Sequence, residues 1–154
     1  MNRPLLNRIV FVLSLAGMLL AIFLWKMHST PNDIPCGPGN HGCTEIAKSA
    51  YSRFPVGSGP PVAALGTFGY VALAMLSLAR TAAAPARDKV LLLASMGVSL
   101  LGTLFSLRLT AYEFSINTWC KYCVASQILI ASLFLLTLFD WLGSRRAPQV
   151  ESIA

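Results

Sequence analysis

Four stretches of the chain run nearly free of charge for long enough to cross a bilayer, and polar segments separate them. The first, about residues 7–26, has Ser14 as its one polar residue between Ile9 and Trp25. The others cover about 61–79, 89–109 and 120–142. About 20 apolar residues in a helix span the hydrocarbon core of a membrane. Gly66 and Gly69 in the second, and Gly97, Ser99, Gly102 and Ser106 in the third, give small-residue faces on which helices approach closely. The pattern predicts an all-α integral membrane protein, one domain over 1–154 built as a four-helix bundle.

The polar segments differ in kind. Residues 28–60 form the long loop on one side. Its first part, 28–43, holds three prolines and three glycines and cannot continue a helix. Thr44 to Phe54 then places Ile46, Ala47, Ala50, Tyr51 and Phe54 at helical spacing, which predicts a short amphipathic helix on the membrane surface or capping the bundle. Arg80 to Lys89 reads as a tight hairpin, Thr110 to Trp119 as a short connection, and 143–154 as a polar tail.

Composition agrees with this reading. Of 154 residues, 55% are hydrophobic and 12% charged, against roughly 25% charged in a soluble domain. The net charge of +6 is scattered over the ends of apolar segments; a nucleic-acid reader would gather it on one face. A basic start before an apolar run also marks a signal peptide, but here no small-residue cleavage site follows and three more spans come after. With four spans, Arg3, Arg8, Arg80, Arg87, Lys89, Arg145 and Arg146 share one side, against Lys26, Lys48, Arg53, Arg108 and Lys121 on the other. That bias puts both termini in the cytoplasm of a multi-pass plasma (inner) membrane protein. The long loop then faces the periplasm, or the lumen of a secretory compartment.

Four cysteines fall into two pairs, Cys36 with Cys43 and Cys120 with Cys123. Four spans bring both pairs to one side, whichever way the chain is inserted. Cys120 and Cys123 lie one turn apart at the head of the last span, where free amides and the helix dipole favour a thiolate. Thiol exchange needs such a thiolate, a reachable disulfide and a final electron acceptor. At a membrane boundary, with no nucleotide-binding fingerprint in the chain, the acceptor expected is a lipid-soluble quinone. Static disulfides stapling the loops would use the same cysteines without catalysis. A four-cysteine zinc or iron site is the other reading, weakened by the loose spacing of the first pair; no metal is expected.

Taken together, the loop cysteine pair, Ser49 six positions after Cys43, the Gly59-Pro-Pro-Val-Ala-Ala-Leu-Gly66 entry to the second span and Trp119-Cys120-Lys-Tyr-Cys123 at the fourth resemble the vitamin K epoxide reductase family. The likeness runs over about residues 8 to 142 and is to its bacterial single-domain members, without the fused thioredoxin-like domain that many carry. It implies a bundle around a quinone (ubiquinone, menaquinone or a vitamin K-like ring), lidded by the loop. It implies that Cys123 reacts with the quinone, that Cys120 exchanges with Cys43, and that Cys36 receives electrons from a separate thioredoxin-like partner. Ser49 matches a serine that positions the cysteines or the quinone. Where vertebrate members carry an asparagine and a tyrosine, this chain has Val62 and Gln127, so quinone reduction, rather than epoxide reduction, is the activity implied.

Trp119, Tyr122 and Phe114 are candidates to line the ring site, and equally to anchor the interface. Glu113 is expected as a solvated carboxylate at a loop end, and His28 and His41 as loop histidines. The other class of quinone-linked four-span oxidase usually places its C-x-x-C in the first outer loop, unlike this chain. The remaining alternatives are a structural or assembly membrane protein with stapled loops and an epoxide reductase.

Overall fold

The computed structural model describes residues 3–29, 48–115, 117 and 119–151. Its elements are α1 (Arg3–Ser29), α2 (Val62–Thr81), α3 (Pro85–Ser115) and α4 (Lys121–Glu151), with one 3-10 turn at Ala50–Ser52. Each of the four helices is long and apolar enough to cross a membrane. Among the described residues there is no β-sheet; Arg53 and Pro61 form an isolated bridge. The protein is an all-α, membrane-spanning four-helix bundle.

Each helix has two main neighbours. α1 packs on α2 and α4, and α3 packs on the same two. The ring closes on Val10, Ala21, Tyr70, Leu73, Ile130 and Leu133. Outward faces carry Val12, Leu19, Phe68, Met75, Leu104 and Ile128, all exposed, a surface suited to lipid rather than water. Several buried hydroxyls are satisfied within their own helix: Ser14 donates to the Val10 carbonyl at 2.7 Å, Ser99 to that of Ser95 at 2.8 Å and Thr137 to that of Leu133 at 3.0 Å. No water is needed there, and small side chains let backbones close up. At Gly102 a Cβ would come within 2.9 Å of Ile130, so α3 and α4 meet there only because the side chain is missing.

The helices outrun the apolar runs that predict them. α3 starts at Pro85, whose missing N–H costs nothing in a first turn, with Asp88 in that turn. It continues past residue 109 to Ser115 because nothing in Thr110–Ser115 breaks a helix. Asn117, at φ 51° with its N–H donating to Phe114 O at 3.2 Å, ends it; asparagine tolerates that left-handed conformation better than most residues. α4 likewise runs on through the expected tail to Glu151.

The two ends of the bundle differ. At one, Arg80 is buried and donates to Asp88 at 2.8 Å and to Asp140 at 2.7 Å. Arg80 was expected as a hairpin charge setting orientation; instead two carboxylates match it inside the bundle. Nearby, Asn7 donates to Ser77 O at 2.9 Å and Ser77 returns a bond to Asn7 O at 2.9 Å, tying α1 to α2.

At the other end lies the segment from Lys48 to Pro61. Of the short helix expected over 44–54, residues 44–47 lie outside the described residues, and after the Ala50–Ser52 turn Arg53 is already extended. Gly57, at φ 85°, donates to Ala50 O at 3.0 Å, and Phe54 donates to Pro60 O at 3.1 Å, closing the loop on itself. Tyr51 stacks on Tyr112 at 3.9 Å and Phe54 meets Phe105 edge-on at 5.4 Å. Those rings hold the segment on the top of α3.

Candidate active site

Cys120 stands just ahead of α4, and its backbone oxygen accepts the Val124 N–H at 3.0 Å, the first bond of the helix. Its sulfur accepts the N–H of Cys123 at 3.4 Å. Cys120 thus fills the N-cap position with sulfur in place of the usual side-chain oxygen. Both cysteines are free thiols, Cys120 buried and Cys123 partly so. The Cys123 hydrogen bond pushes the Cys120 thiol below its ordinary range, and this outweighs the upward effect of burial.

The added turn of α3 delivers Glu113 to the same place. Its side chain is 1% exposed, not the solvated loop-end carboxylate expected, because residues 110–115 remain helical. Its Oε2 accepts the Cys120 N–H at 3.5 Å, and its Oε1 has no hydrogen-bond partner among the described residues. The carboxyl and the two sulfurs lie within 4.8 Å of one another. A C-x-x-C pair at a helix start is the arrangement of an exchanging dithiol.

Below these groups the bundle encloses a cavity of about 520 Å³, lined largely by apolar side chains. Cys120, Cys123 and Glu113 line it, as do Ser49 and Tyr51 from the loop segment. Tyr70 borders it from α2, its hydroxyl 3.0 Å from Ser126 O and 3.1 Å from Ser126 Oγ. A Cβ on Gly17 would overlap the Tyr70 ring, so α1 leaves room for that tyrosine. Thr110 lines the cavity too, and its hydroxyl donates to Gln127 Oε1.

Of the residues singled out from sequence, Cys120, Cys123 and Ser49 come together around one space. Cys36, Cys43 and His41 lie outside the described residues. Phe114 and Trp119 are 73% and 47% exposed and meet each other edge-on at 6.3 Å. Tyr122 packs on Phe23 at 5.6 Å. None of these three lines the cavity. The face of α4 that does runs through Cys123, Ser126 and Ile130, and Tyr122, one residue from Cys123, is rotated off it by the helical step of about 100°. The rings bordering the space are instead Tyr51, Phe54, Tyr70, Phe105 and Tyr112.

Glu113 and Tyr70 were not legible as site residues, although a signal for Glu113 existed. Leu92, Ser95, Ser99, Gly102, Ser106, Thr110 and Glu113 repeat at three- and four-residue steps, the inward stripe of one continuous helix.

No curated protein matches the chain. The model of the vitamin K epoxide reductase family does, over residues 8–138. With that match over most of its length and a C-x-x-C pair beside a buried acid, the chain belongs to the vitamin K epoxide reductase family.

Proposed function

We propose that the protein is a quinone-dependent thiol oxidoreductase of the plasma membrane, which reoxidises a separate thioredoxin-like protein and so supports disulfide formation in exported proteins. The observation that carries this reading is the placing of a free dithiol, Cys120 and Cys123, on the wall of an apolar cavity inside a membrane bundle. A volume of about 520 Å³ suits a ring head group, since small-molecule pockets run from roughly 300 to 1,000 Å³. Flat faces at Tyr51, Phe105 and Tyr112 suit a ring, and the Tyr70 hydroxyl and Ser126 offer polar contacts at its edge. Cys123 and Ser49, which line the cavity, would border the ring.

A quinone supplies an acceptor for two electrons and two protons. The chain's own part is the dithiol: two S–H bonds break and one S–S bond forms between Cys120 and Cys123. In the relay we infer, Cys43 then attacks Cys120, Cys36 resolves that mixed disulfide, and the partner's thiol attacks Cys36. The periplasmic or lumenal facing of all four cysteines, with both termini cytoplasmic, belongs to this proposal.

Two tests bear on it. Replacing Cys36 by alanine (C36A) should trap a Cys43–Cys120 crosslink, which static loop disulfides would never form. Reconstituting C123A with quinone and a reduced thioredoxin-like protein should give no turnover; undiminished turnover would remove the dithiol from the reaction.

A further inference from the structure

We propose that Glu113 is the base that takes the proton of the Cys123 thiol when the dithiol is oxidised. This deepens the reading above and rests on its dithiol, though not on the identity of the acceptor.

The need for a base follows from the geometry. Cys123 is the thiol on the cavity-facing stripe of α4, in a space lined largely by apolar side chains, and it is hydrogen-bonded to Cys120. To act as a nucleophile it must lose its proton. Among the described residues the titratable groups around the cavity are Cys120 and Cys123, Tyr70 from α2, Tyr112 and Glu113 from α3, and Tyr51 from the loop segment; α1 adds none. Among the described residues no lysine, arginine or histidine lines it, and Arg108 and Lys121, the cations nearest in sequence, are exposed. Phenols are weak bases at neutral pH. Among the described residues lining the cavity, the Glu113 carboxyl is the one base other than the dithiol itself.

Glu113 is also placed as a working group rather than a structural one. A buried carboxyl kept for stability is paired or fully hydrogen-bonded. Here, among the described residues, the carboxyl has a long bond from the Cys120 amide to Oε2 and a side-chain bond with Cys123, and Oε1 has no partner. That free oxygen sits in a cluster whose sulfurs and carboxyl lie within 4.8 Å. A proton moving from Cys123 Sγ to the carboxyl leaves the charge of the cluster unchanged, so no net charge is created in a low-dielectric space. Oxidation of the dithiol then forms the S–S bond and sends two electrons to the acceptor, together with the proton held on Glu113 and that of the second thiol.

The test uses the full chain in lipid with Cys36, Cys43 and Cys120 replaced by alanine, so that Cys123 is the single thiol. Its reaction with 4,4′-dithiodipyridine, in which the thiolate forms a mixed disulfide and releases thiopyridone, is followed against pH without any quinone. With Glu113 present, proton and charge move within a pair, and the rate should vary by less than about threefold between pH 6 and 8. With E113Q the proton must go to solvent, and the rate should rise about tenfold per pH unit. E113D should keep the shallow profile at a lower rate; it also serves if E113Q does not fold. Identical profiles for the parent, E113Q and E113D would overturn the proposal, as would a steep profile in the parent. Quinone reduction is then assayed in the protein with all four cysteines. A shallow profile without quinone reduction would keep the base and refute the quinone, so the two failures are separable.

Discussion

The amide of Cys123 points at the sulfur of Cys120 across 3.4 Å, so one cysteine of the pair caps the helix that carries the other. The bond ties redox state to local structure. A cap that accepts from the third helical N–H stabilises a helix start by about 1 kcal/mol, and a thiolate does so better than a thiol.

Exchanging Cys120 for serine should therefore preserve that helix start, whereas alanine should lower stability by about 1 kcal/mol. Thermal unfolding in one detergent, both variants against the parent, reads the difference. Neither should form the Cys120–Cys123 disulfide, so stability and relay activity come apart in C120S.

The lowered Cys120 thiol gives a pH prediction. With Cys120 as the single cysteine, C123S keeps a hydroxyl donor to it and C123A does not. A depressed thiol is thiolate already below the ordinary midpoint of about 8.5. The modification rate of Cys120 should thus reach half its plateau at lower pH in C123S than in C123A. Rates measured with a small disulfide reagent across pH 6–10 decide it.

At the far end, Arg80 is held by Asp88 and Asp140. Leaving a buried charge with no partner costs about 3–5 kcal/mol. D140N leaves Arg80 with Asp88 alone and should lower stability, read as unfolding temperature, by part of that, and the double variant D88N/D140N by more. R3Q should barely move it, since Arg3 is half exposed and 3.9 Å from Asp140.

Tyr70 joins the packing of α1 to the cavity. G17A would push a methyl into its ring, and overpacking of that kind costs about 1–3 kcal/mol. Y70F keeps the ring and loses only the bond to Ser126. We expect Y70F to be close to parent stability with weaker quinone binding, and G17A to lose both, as read by melting and by quinone titration.

Much of the bundle was written in hydropathy. Four apolar runs, with Gly102 and Ser106 at close-packing positions, gave the helices and their number. The C-x-x-C at the head of the last run located the dithiol. What hydropathy hid were polar groups that fold makes internal. Glu113 follows an apolar run and resembles a loop residue until α3 is seen to continue beneath it. Arg80 reads as a hairpin charge until Asp140, 60 residues on, is brought against it. Trp119, Tyr122 and Phe114 are flat aromatics suited to a ring, but the rings that line the cavity come from elsewhere, Tyr51 and Tyr112 among them. Adjacency along a helix is a poor guide to shared direction, because each residue turns the side chain by about 100°.

The most direct measurement is a stoichiometry. Fully reduced protein in lipid, with Cys36 and Cys43 replaced by alanine, is mixed with a short-chain quinone, and thiols lost are counted against quinone reduced. Two thiols should be lost for each quinone, both from Cys120 and Cys123, with no reaction in C123A. Quinone left unreduced by the intact pair, or reduced equally well by C123A, would contradict the proposed function.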